Sequence, residues 1–159
     1  MNEMNLDESK YAQKAMKLFK DGFNCSQAVF LAFEDKYEMN HREALMLSSS
    51  FGGGMGRLRE VCGAVSGMFM VAGILYGYDN PNDQEAKTRH YKRIQELAGE
   101  FEKYNGSIVC RTLLGLEQHK EKPVPEKRTE EYYKKRPCVQ LTGMAAAIME
   151  NYITEHPFS

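Results

Sequence analysis

The residues most able to do chemistry in this sequence are its four cysteines, each of which lies where a helix is predicted to begin. The start signals and their cysteines are Asn24 and Cys25, the Gly-rich loop 52–56 and Cys62, Ser107 and Cys110, and Pro137 and Cys138. A helix N-terminus has unpaired N–H groups and a partial positive charge, both of which stabilise a thiolate. The thiolate is the form that attacks disulfides and binds metals. The four helix starts therefore predict a redox or metal site, provided that they meet in space.

The spacing of the cysteines restricts the kind of site that they can form. No Cys-x-x-Cys occurs in the chain, which excludes a thioredoxin-type dithiol motif, a zinc knuckle and a c-type haem attachment motif. One cysteine from each of four helices acts together with the others only if the tertiary structure gathers them. The alternative is four independent buried thiols, since free cysteine is among the residue types most often buried.

Length and composition predict one globular domain, residues 1–159. The chain has 159 residues, enough to bury a core without disulfide staples. Its formal net charge of −1, with 42% hydrophobic and 27% charged residues, gives no reason to expect nucleic acid or an anionic membrane as a partner. The polar N-terminus lacks the basic and apolar regions of a signal peptide. We therefore expect a cytoplasmic protein, a setting where cysteines are more often catalytic or metal-binding than permanently bridged.

Residues 61–78 are the most apolar stretch of the chain and contain no charged residue. A helix that is apolar all round is either a core element or a membrane element. We interpret this stretch as a buried central helix, with a single-pass membrane anchor as the alternative. The pairs Gly63/Gly67 and Gly73/Gly77 predict two patches without side chains, at each of which a neighbouring helix can approach closely. Because a helical glycine costs about 1 kcal/mol relative to alanine, close contacts should offset that cost.

The rest of the chain is also predicted to be helical, and no useful length of it alternates as a half-buried strand would. The predicted helices run from Asp7 to Lys20, after caps at Asn24 and Asn40, from about 84 to Tyr104, from Ile108 to Leu114, near Tyr132, and from Pro137 to about Thr154. We predict an all-α bundle of about six or seven helices around the Gly-rich helix, with no membrane insertion. Residues 115–136 are predicted to be a polar connection that can move, and glycine patches at the surface would support a homodimer.

The segment from Val61 to Gly67, with single cysteines upstream and downstream, resembles the signature of the C-GCAxxG-C-C family, for which a redox role is proposed. The resemblance extends from Asn24 to Cys138 and includes a Gly-rich approach at 51–57. It implies a small bacterial protein associated with transport or oxidoreductase systems. The residues carried over are Cys25, Cys62, Cys110 and Cys138 as the functional set, with Gly63 and Gly67 as supports. The family is also similar to the cysteine-bearing part of split-Soret cytochromes, which implies an iron–sulfur site. The haem half of that similarity does not transfer, since Cys-x-x-Cys-His is lacking.

Three chemistries fit four cysteines contributed in this way. Four thiolates can hold a [2Fe–2S] or related iron–sulfur cluster for electron transfer, which is the interpretation that we favour. They can instead form one or two reversible disulfides through low-pKa thiolates, without metal. A closed structural zinc site ranks lower, because such sites usually draw on closely spaced cysteine pairs. A helical interaction module with structural cysteines is a further alternative. The redox interpretations imply a redox partner protein and leave open whether the chain is an oxidoreductase or an electron-transfer component.

The Gly-rich loop is predicted to shape the backbone rather than to bind a nucleotide. It lacks the Lys-Ser/Thr of a P-loop and follows a predicted helix rather than a strand. Its glycines allow positive φ values and a close approach to the cysteines. Several arginines lie near the cysteines in sequence and are expected to lower thiolate pKa values, to balance an anionic cluster, or simply to face solvent. These arginines are Arg57, Arg59, Arg111 and Arg136.

Overall fold

The computed structural model describes residues 4–116 and 120–158, and over these ranges the chain is all-α, as predicted. It contains eight α-helices and no strand in the described residues: α1 (Lys10–Lys20), α2 (Cys25–Ala32), α3 (His41–Ser48), α4 (Gly63–Tyr76), α5 (Gln84–Asn105), α6 (Cys110–Leu113), α7 (Glu130–Lys135) and α8 (Cys138–Glu155). The turn Gly52–Met55 is not counted, because Gly53 and Gly54 have left-handed dihedral angles. No helix in these ranges is both long and apolar enough to cross a membrane.

Polar side chains fix most helix starts, as the sequence predicts. Asn24 forms a capping box with Gln27 at the start of α2, and Asn40 caps α3. Two predicted starts are wrong. Helix α1 begins at Lys10 rather than Asp7, since Ser9 accepts the Ala12 N–H and ends a preceding 3-10 turn.

The second wrong start is that of α6, which begins at Cys110 rather than Ile108. The predicted cap, Ser107, accepts a hydrogen bond from the Val109 N–H at 3.0 Å, and Val109 itself occupies the N-cap position. The reason is that residues before Cys110 are extended and pair with another segment. Cys110 is therefore the first residue of its helix.

Helix α4 packs against α2, α5 and α8. From Gly63 to Met68 every residue is buried, whereas Ile74 near the other end is 47% exposed. The N-terminal half of the helix thus lies in the core, and this is the half that adjoins the cysteines. Helices α1 and α8 pack on each other and on α2, so that the starts of α2, α4 and α8 belong to one packed unit.

Only one of the two predicted glycine patches on α4 serves close packing. A Cβ at Gly67 would lie 2.8 Å from the Ser26 carbonyl oxygen, so glycine allows the backbones of α2 and α4 to approach. A Cβ at Gly73 would meet nothing within 4 Å, and Gly77 is the exposed residue that ends the helix. The prediction of a second patch at Gly73/Gly77 is therefore wrong, because no neighbouring helix approaches α4 at Gly73.

Candidate functional site

Each cysteine lies at a helix start, as predicted from the sequence. Cys25, Cys110 and Cys138 are the first residues of α2, α6 and α8, and Cys62 is the N-cap of α4. At the last of these starts, Pro137 occupies the N-cap position rather than the first helical turn. The N–H groups of a helix's first turn have no partner within the helix, and at Cys62 those of Ala64 and Val65 lie close enough to act on the thiol.

A short antiparallel bridge between Val61 and Val109 brings two of the cysteines together. The Cys62 N–H donates to the Ile108 carbonyl at 2.8 Å, and the Cys110 N–H donates to the Glu60 carbonyl at 2.6 Å. The chain segments that lead into α4 and α6 are thereby held side by side. The pairing joins residues far apart in sequence, so no local sequence signal predicts it.

Gly63 allows the Cys25 sulfur to pack against the start of α4, next to Cys62. A Cβ at Gly63 would overlap the Cys25 Sγ and lie 2.9 Å from the Phe51 carbonyl oxygen. Any side chain at position 63 would therefore displace the Cys25 sulfur or the loop before Cys62. This close contact explains why glycine follows the cysteine at the start of α4.

All four cysteines line a single cavity of about 380 Å³. Cys62 and Cys110 are 6% and 7% exposed, whereas Cys25 and Cys138 are half-buried, and none of the four is in a disulfide. In the described part of the chain, no group of three or more His, Cys, Asp and Glu side chains is close enough to hold a single metal ion. The four cysteines thus surround one cavity, but their sulfurs do not converge closely enough to bind a single ion.

The Gly-rich loop forms one wall of this cavity through an unusual backbone. Three of its glycines, Gly53, Gly54 and Gly56, have φ between +63° and +72°. A Cβ at Gly54 would lie 2.6 Å from the Cys110 Cβ, so that glycine serves both the dihedral angle and the contact. The prediction that the loop shapes the backbone beside the cysteines agrees with this geometry.

Three residues with side chains share the left-handed conformation of the loop, namely Met55, Arg57 and Arg59 at φ of +69°, +67° and +59°. Such a conformation costs about 1–2 kcal/mol for a residue with a side chain. Strained backbone of this kind is concentrated at functional sites, where the surroundings hold it in place. Here the two arginines are held by ion pairs beside the cavity.

Arg59 links the cysteines to a carboxylate that the sequence did not identify. This arginine is only 5% exposed, its Nη1 donates to the Cys110 Sγ at 3.6 Å, and its Nε donates to the Glu121 Oε1 at 2.7 Å. Burial of an unpaired guanidinium would be costly, so Glu121 is a required partner. The two residues are 62 positions apart, and sequence periodicity carries no signal for such a pair.

Residues 120–129, which we call the strap, contribute to the lining of the cavity and are fixed there by further arginines. Arg57 donates to the Lys122 carbonyl at 2.7 Å, and Arg136 donates to the Glu126 Oε1 at 2.6 Å. Arg128 lies 3.9 Å from the centre of the Phe19 ring and donates to the Phe23 carbonyl at 2.8 Å. The strap lies in the segment predicted as a polar connection, of which residues 117–119 lie outside the described ranges. Arg111 instead pairs with Glu60 away from the cavity.

A family model confirms the resemblance that the signature indicated. The model, described as "Putative redox-active protein (C_GCAxxG_C_C)", matches residues 23–152 and so includes all four cysteines. The chain belongs to this family. No curated protein and no solved structure matches the chain. In this C_GCAxxG_C_C protein, the signature Cys62–Gly67 corresponds to the N-cap and first turn of α4.

Burial, rather than the helix termini, dominates the acidity of three cysteines in this C_GCAxxG_C_C protein. Burial, together with the nearby Cys25, raises the pKa of Cys62 well above its usual value and that of Cys138 to about 12. The Ala64 and Val65 N–H groups act in the opposite direction at Cys62 but do not compensate. Burial also raises the pKa of Cys110, although Arg59 opposes it. The expectation of low-pKa thiolates is therefore wrong at these three positions.

We expect the metal-free protein to lose stability at alkaline pH because of these thiols. Above the unfolded-state thiol pKa of about 8.5, the unfolded chain releases protons that the folded protein retains until about pH 12 at Cys138. The free energy of unfolding should then fall with rising pH, by at most about 1.4 kcal/mol per pH unit for each such thiol. Denaturant titrations between pH 8 and 10 measure this slope. Cys138→Ser should make it shallower, and equal slopes would contradict the assignment.

Removing the Glu121 carboxylate is expected to release the strap. In Glu121→Ala, Arg59 and Arg57 each lose an ion pair, so the strap should detach more often and be cleaved by trypsin roughly tenfold faster, as about 1.4 kcal/mol of lost docking energy would give. The matched control is Glu131→Ala, since Glu131 on α7 forms no ion pair among the described residues. Similar cleavage rates in the two variants would show that Glu121 does not hold the strap.

Proposed function

We propose that the four cysteines hold an iron–sulfur cluster, [2Fe–2S] being favoured, and that the protein transfers electrons to or from a redox partner protein. The observation that carries the proposal is the single cavity lined by four cysteines from four different helix starts. Membership in a family described as redox-active supports a redox role for that set. Such a cluster, when bound, supplies a one-electron couple whose potential is set by its hydrogen bonds, charge and exposure.

The donors around the cavity fit such a group. Four thiolates are the usual ligand set for a [2Fe–2S] cluster. A cluster with two iron atoms spans more space than one ion. Zinc instead requires all its thiolates within about 2.3 Å of a single point, and no three potential ligand side chains come that close together among the described residues. The arrangement therefore favours the cluster over structural zinc.

The charges around the cavity also fit an anionic centre. Four arginines line it, Arg57, Arg59, Arg128 and Arg136, and two carboxylates pair with them, Glu121 and Glu126. The surplus is two positive charges. An oxidised two-iron cluster with four thiolate ligands has a charge of about −2, so this shell of arginines would balance it.

The raised thiol pKa values count against free thiols as attacking groups. At neutral pH, Cys62, Cys110 and Cys138 are neutral in the protein alone, and a neutral thiol attacks disulfides poorly. A bound cation, in contrast, displaces the thiol protons and stabilises the thiolates directly. The side chains of Arg59 and Tyr132 would then stabilise the thiolates of Cys110 and Cys138.

A thiol–disulfide protein without metal is the second candidate, and the position of Cys25 favours it. Cys25 is half-buried and acts electrostatically on all three other cysteines, so it is a neighbour of each. A disulfide between Cys25 and one of them would be a reversible two-electron couple. Burial of Cys62 and Cys110 opposes this candidate, because a partner thiol must reach the sulfur.

Anaerobic purification followed by measurement of iron, acid-labile sulfide, zinc and visible absorption tests the proposal. We expect iron and sulfide in matching amounts together with charge-transfer absorption. A colourless protein without metal would contradict the cluster and support the disulfide candidate, which a count of free thiols before and after reduction then tests. Zinc without iron would indicate a structural site.

A further inference from the structure

One side chain of the cysteine cavity has a polar group with no partner in the protein. Thr142, on α8, is fully buried, and its Oγ1 forms no hydrogen bond; among the described residues no other buried side-chain nitrogen or oxygen is in this condition. The residue lines the same cavity as the four cysteines. A buried hydroxyl without a partner destabilises the fold, so this one requires an explanation.

The usual partner of a helical threonine is not used at Thr142. Threonine Oγ1 in a helix commonly donates to the carbonyl four residues earlier. Thr154 on the same helix does so to the Glu150 carbonyl at 3.0 Å, and Thr88 on α5 does so to the Gln84 carbonyl at 2.8 Å. For Thr142 the equivalent acceptor would be the Cys138 carbonyl, and that bond is not formed.

The position of Thr142 suggests which acceptor its hydroxyl serves. It lies four residues after Cys138, and residues at this spacing share one face of a helix, here the face towards the cavity. The sulfur atoms of a bound cluster and its thiolates are acceptors and carry no donor of their own. A hydroxyl in this wall is therefore a ready donor to them.

We propose that Thr142 Oγ1 donates a hydrogen bond to a sulfur of the bound cluster and thereby raises the reduction potential. This inference rests on the proposed function, since it requires the cluster. The reduced centre is the more negative of the two states, so a donor stabilises it more than the oxidised one. Without the cluster the same hydroxyl destabilises the fold, because it is buried and unpaired.

The test compares Thr142→Val, which removes the hydroxyl at nearly constant shape, with Thr142→Ser, which keeps it. In the loaded protein, redox titration should give a lower midpoint potential for Thr142→Val than for wild type, with Thr142→Ser close to wild type. In the metal-free protein, thermal unfolding should give Thr142→Val a midpoint at least as high as that of wild type. The two variants thus separate the hydroxyl from the volume of the side chain.

The outcomes distinguish failure of this inference from failure of the proposed function. Wild type without iron and sulfide would overturn both. Iron and sulfide at wild-type levels with an unchanged potential in Thr142→Val would overturn the role of Thr142 alone. A metal-free Thr142→Val that unfolds at a clearly lower temperature would also overturn it, because the hydroxyl would then have a partner within the protein.

Discussion

Replacing Cys62 with alanine is expected to lower the iron content from about two atoms per chain to a small fraction of that and to abolish the visible absorption. Cys62 is the most central ligand candidate, since it is 6% exposed and lies between the β-bridge and α4. The fold should survive, because the backbone hydrogen bond from the Cys62 N–H to Ile108 does not involve the side chain. Iron and sulfide assays with circular dichroism measure both effects.

Ser66→Ala is the matched control for this experiment. Ser66 lies one turn further along α4 and is also 6% exposed, but it does not line the cavity. It should retain iron, sulfide and colour. Cys62→Ser separates the remaining interpretations: loss of colour supports the cluster, loss of thiol exchange in a colourless protein supports the disulfide candidate, and a change in stability alone supports structural cysteines.

Gly63→Ala is expected to destabilise the protein, whereas Gly73→Ala in the same helix is expected to stabilise it. Alanine normally stabilises a helix relative to glycine by about 0.5–1 kcal/mol. At position 63 the added Cβ would overlap the Cys25 Sγ and crowd the Phe51 carbonyl, and overpacking of this kind costs about 1–3 kcal/mol. We expect a less stable protein with little iron, because Cys25 must move.

Gly73→Ala provides the control within the same helix. A Cβ there would meet nothing within 4 Å, so we expect about 0.5–1 kcal/mol of added stability and unchanged iron content. Denaturant unfolding of the two variants, with iron assays on both, completes the comparison. Equal effects at the two positions would show that the contact between Gly63 and Cys25 does not hold the site.

The sequence by itself determined the helical class and the positions of the cysteines along the helices. Asn24 and Asn40 predicted two helix starts correctly, because a cap acts within a few residues of itself. The Cys62–Gly67 signature indicated the family that the family model then matched. Such signals depend only on residues close together in the chain, so they can be recognised from the sequence. The wrong starts at Asp7 and Ile108 show their limit, since neighbouring segments compete for the same polar groups.

The tertiary structure alone decided how the cysteines meet and what surrounds them. The pairing of Val61 with Val109, and of Arg59 with Glu121, joins residues distant in the chain, where no periodicity relates them. Burial reversed the expected acidity of the thiols, because desolvation outweighs the field of a helix terminus. The isolated hydroxyl of Thr142 is likewise visible only once every neighbour is in place. Local chemistry thus sets where each sulfur lies along its helix, and long-range packing sets its partners and its charge.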